Sequence, residues 1–372
     1  MRFVEAHGLR GGRGGSGRGS RGHECWHGLQ YRGIFAGKFR RYFSFRNFLD
    51  VFKVMIGFCQ AVRIVRRFDP HVVFSKGGFV ALPVVLGAAW VNFWRRVGVC
   101  RGRERGRERI SIVIHESDVE PGLANRIAAR FADKILVSFE KTLRDGVFGV
   151  RAAGGGRTMT EARVGSATRA EEGTRTVVAS HIMVVGNPVR AFVLKGDRAL
   201  GLRLCGFNKF KPVVLVMGGS QGARQINNLV WGNLDKLLEK WQVVHITGKG
   251  NMKFGLKKVG YKQFDLLFDE LKDVYAASSV VVSRGGANSL AEIAALEKKA
   301  VIIPLGLAAS RGDQIVNARV CAEEYGWQVL YGEIMGEQFL RAVELASGDK
   351  FKGAGREIKK AAGKVVDVLL EV

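Results

Sequence analysis

"VVLVMGGSQGARQINNLV" (residues 213–230) runs from five apolar residues through a turn of small ones into a helical pattern. A continuous apolar run bounded by glycine is how a strand buried on both faces looks in sequence. In the turn (Gly218, Gly219, Ser220, Gln221, Gly222) the glycines let backbone approach an anion closely. The free N–H groups and the positive end of the helix that follows favour negative charge there. The stretch matches neither G-x-x-x-x-G-K-[ST] nor G-x-G-x-x-G, so it supports neither ATP hydrolysis nor ordinary dinucleotide binding. Taken alone, a tight turn with no ligand explains it equally well.

The same form repeats on either side. From about residue 70 the runs "HVVFS", "ISIVIHE", "KILVS", "HIMVVGN", "PVVLVMGG", "QVVHITG", "SVVVSRGG", "AVIIPLG" and "WQVLY" alternate with longer helical patterns. Short buried strands separated by helices predict βαβ units and doubly wound parallel sheets. "GNPVRAFVL" reads as a linker followed by a second start, which divides the runs between two Rossmann-like domains. "RGRERGRER" (101–109) and residues 151–180 lack an apolar period and are rich in Arg, Gly, Ala and Thr, so they read as exposed insertions.

Three further stretches place polar groups at strand ends, where parallel sheets bind ligands. In "VVVSRGGANSLAEIAAL" (280–296) a strand enters a small-residue turn, and Glu292 lies one turn into the helix. A carboxylate there suits a pair of ribose hydroxyls; a solvated glutamate favoured by the helix dipole is the plainer reading. "SRGDQIVNA" (310–318) brings Asp313, Gln314 and Asn317 to the same edge. "IVIHESDVEPGLANRIAARFADKILVS" (112–138) puts His115, Glu116 and Asp118 after a strand and Asn125 on the next helix. A single His at a strand end is more often a hydrogen-bonded structural residue than a catalyst.

Composition narrows the class. With 372 residues, 47% hydrophobic and 25% charged, the chain has room for two folded domains. Five scattered cysteines form no C-x-x-C pair, which points to a reducing compartment and away from a disulfide framework; no His/Cys cluster argues for a metal. No apolar segment follows Met1 as in a secretory signal, and the longest apolar stretch, Phe79 to Trp94, has sixteen residues where a membrane span needs roughly twenty. The net charge of +25 calls for an acidic partner. Nucleic acid is one class, but no RNP-type aromatic motif, helix-turn-helix signature or zinc finger accompanies the Arg/Gly tracts, so no specific nucleic acid is expected. An anionic membrane surface is another. In "NFLDVFKVMIGFCQAVRIVRRF" (47–68), Phe48, Phe52, Met55 and Cys59 form one apolar stripe and Val51, Val54, Phe58, Val62 and Val65 a second. One stripe can face a core. The other either faces a lipid surface, with Arg40, Arg41, Arg46 and Lys53 nearby, or is buried too.

Six stretches in order, "SKGGFVALP" (75–83), "IHESDVEPGLANRIAARFADKI" (114–135), "VVGNPVR" (184–190), "MGGSQGARQIN" (217–227), "SRGGANSLAEIAAL" (283–296) and "RGDQIVNA" (311–318), give the chain a specific resemblance. It resembles the MurG family of bacterial glycosyltransferases over roughly residues 20–150 and 180–372. The family adds N-acetylglucosamine (GlcNAc) from UDP-GlcNAc to undecaprenyl-diphospho-muramoyl-pentapeptide, lipid I, in peptidoglycan synthesis. The resemblance implies an α/β fold of the GT-B type, two Rossmann-like domains with parallel sheets facing a cleft. It implies inversion at the anomeric carbon, no cofactor and no metal, and peripheral attachment at the cytoplasmic face of the cell membrane. The domain plan it implies is an irregular Gly/Arg-rich segment (1–30), an acceptor and membrane-side domain (31–187, with the insertion 151–180), a UDP-sugar domain (188–350) and a C-terminal helix (351–372). On matching positions Gly219, Ser220 and Gln221 would hold the UDP diphosphate, Arg190 would neutralise its growing charge and Glu292 would bind the ribose. Phe268 falls where the family's backbone reads uracil. Ala287, Asn288 and Ser289 would line the phosphate and sugar, Asp313 and Gln314 would contact the GlcNAc hydroxyls, and Asp118 and Asn125 complete the UDP-GlcNAc set. Gly77 and Gly78 would form an acceptor-side glycine loop, and Phe48, Phe52, Met55 and Cys59 the membrane patch.

The pattern departs from the family at the start. Members begin with a strand, a GGTGGH loop, a helix and another strand, whereas thirty residues precede Tyr31 here, with no buried strand among them. The N-terminal domain is therefore expected to be incomplete. None of His7, His23 or His27 matches the histidine proposed as the family's base, and His115 is the substitute the sequence offers. The alternative to an active transferase is a catalytically silent GT-B protein that binds only nucleotide sugar or a membrane surface.

Overall fold

The structure, a computed structural model, describes residues 33–34, 45–97, 108–144, 148, 181–306, 312–348, 351–353 and 355–372. The described side chains of the first helix begin at Met55, so Phe48 and Phe52 lie outside them, as do the segments 1–30 and 151–180. The chain divides into two compact units. One comprises Met1–Ser117, Pro121–Val185 and Val366–Val372, the other Asp118–Glu120 and Gly186–Val365.

The first unit contains α1 (Phe45–Phe68), β1 (Val72–Ser75), α2 (Leu82–Val97), β2 (Ser111–Glu116), α3 (Leu123–Ala128), β3 (Lys134–Val137), α4 (Lys141–Arg144) and β4 (Ile182–Val184). Its four strands pair in parallel in the order β1-β2-β3-β4. Ala61 and Val65 of α1, Val84, Val85, Ala88 and Val91 of α2, and Ile112, Ile114, Ile135 and Val137 of the sheet share one core. Gly87 lets α2 come close to α1, since a Cβ there would stand 3.1 Å from the Val62 nitrogen. The way into β2 is fixed by Asn92, whose amide donates to the Ile110 carbonyl at 2.8 Å and accepts from the Ile110 N–H at 2.9 Å.

The second unit carries α5 (Arg198–Cys205), β5 (Val213–Met217), α6 (Arg224–Gly232), α7 (Leu234–Lys240), β6 (Gln242–Ile246), β7 (Tyr261–Phe264), α8 (Leu271–Ala277), β8 (Val280–Ser283), α9 (Ala287–Ala295), β9 (Lys299–Ile302), α10 (Asp313–Tyr325), β10 (Gln328–Val329), α11 (Gly336–Gly348) and α12 (Gly355–Lys359), and α13 (Ala361–Glu371) begins in it. Its six parallel strands lie in the order β10-β9-β8-β5-β6-β7. Counted from β5, that is the 3-2-1-4-5-6 order of a doubly wound sheet, with the order reversing between β5 and β8. Every residue of β5, β6 and β8 is buried, as their apolar runs require.

All nine expected runs contain strands, WQVLY only a two-residue one. β7 was not expected: in "YKQF" only Tyr261 is buried, because the strand is at the sheet's edge and half of it meets water. An edge strand has no continuous apolar run to read.

Candidate active site at the sheet's switch point

The loops after β5 and β8 leave the carboxyl ends of adjacent strands at the point where strand order reverses, where open α/β sheets bind ligands. The turn after β5 is shaped by its glycines. Gly219 (φ +84°) and Gly222 (φ +71°) occupy the left-handed region, and the Gly222 N–H donates to the Gly219 carbonyl at 2.9 Å. A Cβ at Gly222 would overlap the Thr247 carbonyl oxygen, so the turn sits directly on the backbone after β6. Ser220 and Gln221 are exposed at its tip. The Ser220 carbonyl accepts from the Lys249 N–H at 3.4 Å, and the Gln221 carbonyl from Asn251 Nδ2 at 3.2 Å. Ala223 precedes α6 and Gly286 precedes α9 at the N-cap position, and neither helix has a side-chain cap, which suits both helix ends to an anion.

Ala287, Asn288 and Ser289 form the first turn of α9, and Asn288 Oδ1 accepts from Asn187 Nδ2 at 3.1 Å. Glu292, one turn further, is only 6% exposed. Arg190 grips it with two bonds, Nε to Oε1 at 2.7 Å and Nη2 to Oε2 at 3.1 Å, and lies 5.0 Å above the Phe192 ring. This corrects the reading of Glu292 as a solvated, dipole-favoured residue. The Glu292 carboxylate holds the Arg190 guanidinium above its ordinary pKa. Beneath them Tyr275 is fully buried and donates to Met217 Sδ at 3.2 Å; burial and then the Glu292 charge push its phenol up.

Asp313 and Gln314 open α10 behind Gly312 (φ +91°). Gln314 Oε1 accepts from the Leu305 N–H at 3.2 Å, and Gly285 packs so tightly on the Gln314 carbonyl that no Cβ would fit. Asn317, wholly buried, draws Asp118 and Val119 into this unit. Its Nδ2 donates to Asp118 Oδ1 at 2.8 Å and to the Gly285 carbonyl at 3.3 Å, while its Oδ1 accepts from the Val119 N–H at 2.9 Å. Burial raises the Asp118 carboxyl's pKa, the Asn317 bond works against that, and the Asp313 charge adds to it. Phe268 is 70% exposed, and its carbonyl accepts from the Leu271 N–H at 3.2 Å.

Two expected residues belong to the first unit. Asn125 is in the first unit, buried, with Nδ2 donating to Glu116 Oε2 at 2.8 Å and to the His115 carbonyl at 3.2 Å, so it ties α3 to the end of β2. A Cβ at Gly77 would stand 2.7 Å from that Nδ2, and Gly77 and Gly78 both have left-handed backbones (φ +88° and +89°). Asn125 thus shapes the Gly77–Gly78 turn. His115, expected to face a cleft as a substitute base, is instead the penultimate residue of β2 and 0% exposed. A fully buried imidazole reaches no acceptor hydroxyl, which corrects that expectation.

On α1 the stripe with Val62 and Val65 packs inward, whereas Met55 and Cys59 are exposed, so the two stripes are not both buried. Ile56, Trp90 and Phe93 are exposed as well, and Phe58, Trp90, Phe93 and Trp94 form a run of edge-on and tilted ring contacts. No helix among the described residues is long and apolar enough to cross a membrane.

Two features of the site escaped the sequence reading. The Thr247–Gly248 backbone after β6 supports the glycine turn after β5, and the signal for it was a second glycine turn, "TGKGN", at a strand end. Arg284, half-buried, points Nη1 at Gln225 Oε1 and at the Ile303 carbonyl, both 3.3 Å away, and so links α6 to the end of β9.

Known proteins share this arrangement. Residues 213–356 match the glycosyltransferase family 28 C-terminal domain and residues 19–137 its N-terminal domain. The chain is 39% identical over 341 residues to the UDP-N-acetylglucosamine–N-acetylmuramyl-(pentapeptide) pyrophosphoryl-undecaprenol N-acetylglucosamine transferase 2 of Bacillus cereus, covering 91% of this chain and 82% of that protein. It is 42% identical over 292 residues to the transferase of the same name, without the numeral, from Legionella pneumophila, covering 78% and 68%. Among solved structures, MurG of Acinetobacter baumannii gives a TM-score of 0.57 at 18% identity, covering 93% of this chain and 86% of that one. UDP-GlcNAc 2-epimerase of Methanocaldococcus jannaschii gives 0.54 at 12%, covering 92% and 85%. The structural likenesses establish two parallel-sheet domains of the GT-B kind, and the sequence identities establish kinship: the chain belongs to the MurG family of glycosyltransferases.

Proposed function

We propose that this chain transfers GlcNAc from UDP-GlcNAc to lipid I with inversion at the anomeric carbon. The observation that carries the reading is the crevice between β5 and β8, where two uncapped helix ends and a glycine turn adjoin a buried carboxylate gripped by an arginine. The amides of Gly219, Ser220 and Gln221, with the Ser220 hydroxyl, take the diphosphate. Glu292 takes the ribose hydroxyls: each carboxylate oxygen has a lone pair left after Arg190 has used one, so the arginine aims the acceptor without consuming it. The backbone at Phe268 reads the uracil. Ala287, Asn288 and Ser289 line the phosphate and sugar, and Asp118, Asp313 and Gln314 meet the GlcNAc hydroxyls. As the glycosidic bond breaks, charge grows on the departing UDP, and fixed N–H donors, a helix end and the Arg190 guanidinium stabilise it without reorganising.

Relatives that carry the transferase's name over most of their length support transfer rather than silent binding. The acceptor is a membrane lipid, and the exposed apolar residues Met55, Ile56, Trp90 and Phe93 of the first unit support peripheral attachment to an anionic surface. The Gly77–Gly78 turn is the acceptor-side loop in this reading. Calorimetric titration tests the donor half: the purified chain should bind UDP-GlcNAc, and Ser220→Ala and Glu292→Ala should each abolish binding. Unchanged binding in both variants would contradict the assignment.

A further inference from the structure

Behind the phosphate turn lies a buried polar chain that takes no part in the roles given above. Trp231 Nε1 can only donate, so its 3.1 Å bond to Tyr261 Oη makes the phenol oxygen the acceptor. At the other end, Asn227 Nδ2 donates to the Thr247 carbonyl at 3.0 Å, which turns Asn227 Oδ1 toward His245 Nε2, also 3.0 Å away. An amide oxygen only accepts, so Nε2 bears the imidazole proton. The neutral ring then accepts at Nδ1, and the Tyr261 hydroxyl, 3.0 Å off, supplies that proton. Each bond therefore has one direction: Trp231 to Tyr261, Tyr261 to His245, His245 to Asn227, and Asn227 to the Thr247 carbonyl. His245 is 0% exposed, and burial lowers its pKa to about 4, which keeps the ring neutral and its tautomer single.

The chain ends on the carbonyl against which Gly222 is packed, and Gly248, the next residue, would overlap Gly222 if it had a Cβ. Asn227 itself belongs to α6, whose amino end closes the same turn. One side chain thereby sets both the floor of the turn and the helix that follows it. We propose that His245 is a positioning residue for the diphosphate turn, locking Thr247–Gly248 and α6 into the register that aims the amides of 219–222 at an anion. It touches no ligand itself. The inference rests on the proposed nucleotide-sugar site and specifies what holds its diphosphate half in place.

The test compares wild type with His245→Phe, which keeps a ring and loses both bonds, and with His245→Gln, which can still donate to Asn227. Hydrogen exchange in the ligand-free protein should quicken across residues 218–223 in His245→Phe, stay unchanged in β5, and largely recover in His245→Gln. UDP affinity should fall at least tenfold in His245→Phe while uridine, which lacks the diphosphate, changes less than twofold. If His245→Phe does not fold, Tyr261→Phe, which strips the proton donor from Nδ1, should show the same pattern more weakly. Unaltered exchange at 218–223, or equal losses for UDP and uridine, would overturn the positioning role. A wild type that binds neither nucleotide would remove the donor site, while the exchange comparison would still decide whether His245 orders the turn.

Discussion

Replacing Arg190 with methionine leaves the Glu292 carboxylate in its pocket without its cation. Removing one partner of a fully buried ion pair costs about 3–5 kcal/mol, chiefly because the other charge stays desolvated. Here the Glu292 side chain is 8% exposed but the Arg190 side chain 52%, so water already reaches one member of the pair, and about 2 kcal/mol is the expected loss. For a unit of this size that lowers the melting temperature by about 4–8 °C. Glu292→Gln keeps the shape and returns Arg190 to water, so it should cost less, about 1 kcal/mol. The double variant should be more stable than the sum of the two losses predicts, with a coupling of about 1–2 kcal/mol. Thermal and urea unfolding of all four proteins measures this, followed on the transition of the second unit if the two units melt separately. Because one partner is buried, most of the coupling should survive 0.5 M salt (an ionic strength at which the screening length is about 4 Å). Additive losses, within about 0.5 kcal/mol, would refute the claim that Arg190 holds Glu292 in place.

Gly222→Ala should destabilise by at least about 2 kcal/mol and abolish UDP binding, because it forces a left-handed residue against the Thr247 carbonyl; melting curves and titration read both. Met55→Asp with Phe93→Asp should weaken sedimentation with anionic vesicles while the melting temperature holds, since both side chains are exposed. Protonating His245 requires it to leave its buried site, so its folded-state pKa of about 4 lies below the unfolded value of about 6.5. The unfolded chain binds more protons between those values; stability is full above pH 6.5 and falls by about 1 kcal/mol per unit as pH drops toward 4. His245→Gln should flatten that slope in urea titrations at several pH values.

The strands of both sheets were legible wherever apolar runs were long enough to be buried on two faces, as in β5, β6 and β8. β7 was not, because an edge strand needs only one buried side chain in four to hold its place. The turn after β5 was legible from its glycines, each of which answers a left-handed backbone or a close approach. What the sequence could not supply were partners distant along the chain. Glu292 and Arg190 are 102 positions apart, and Asn317 reaches back 198 to hold Val119. His115 looked available because it stands next to a polar strand end, yet β2 is buried on both faces from Ile112 to Glu116, and its imidazole with it. His245 sat unremarked inside an apolar run, where a polar residue buried at full depth signals a hydrogen-bonded network.

Transfer itself is the most direct test. The purified chain, given UDP-GlcNAc and lipid I in detergent micelles, should release UDP and yield a GlcNAc-bearing lipid whose new linkage has the inverted anomeric configuration, and Glu292→Ala should yield none. Binding of UDP-GlcNAc without any such product, or a product with retained configuration, would contradict the account.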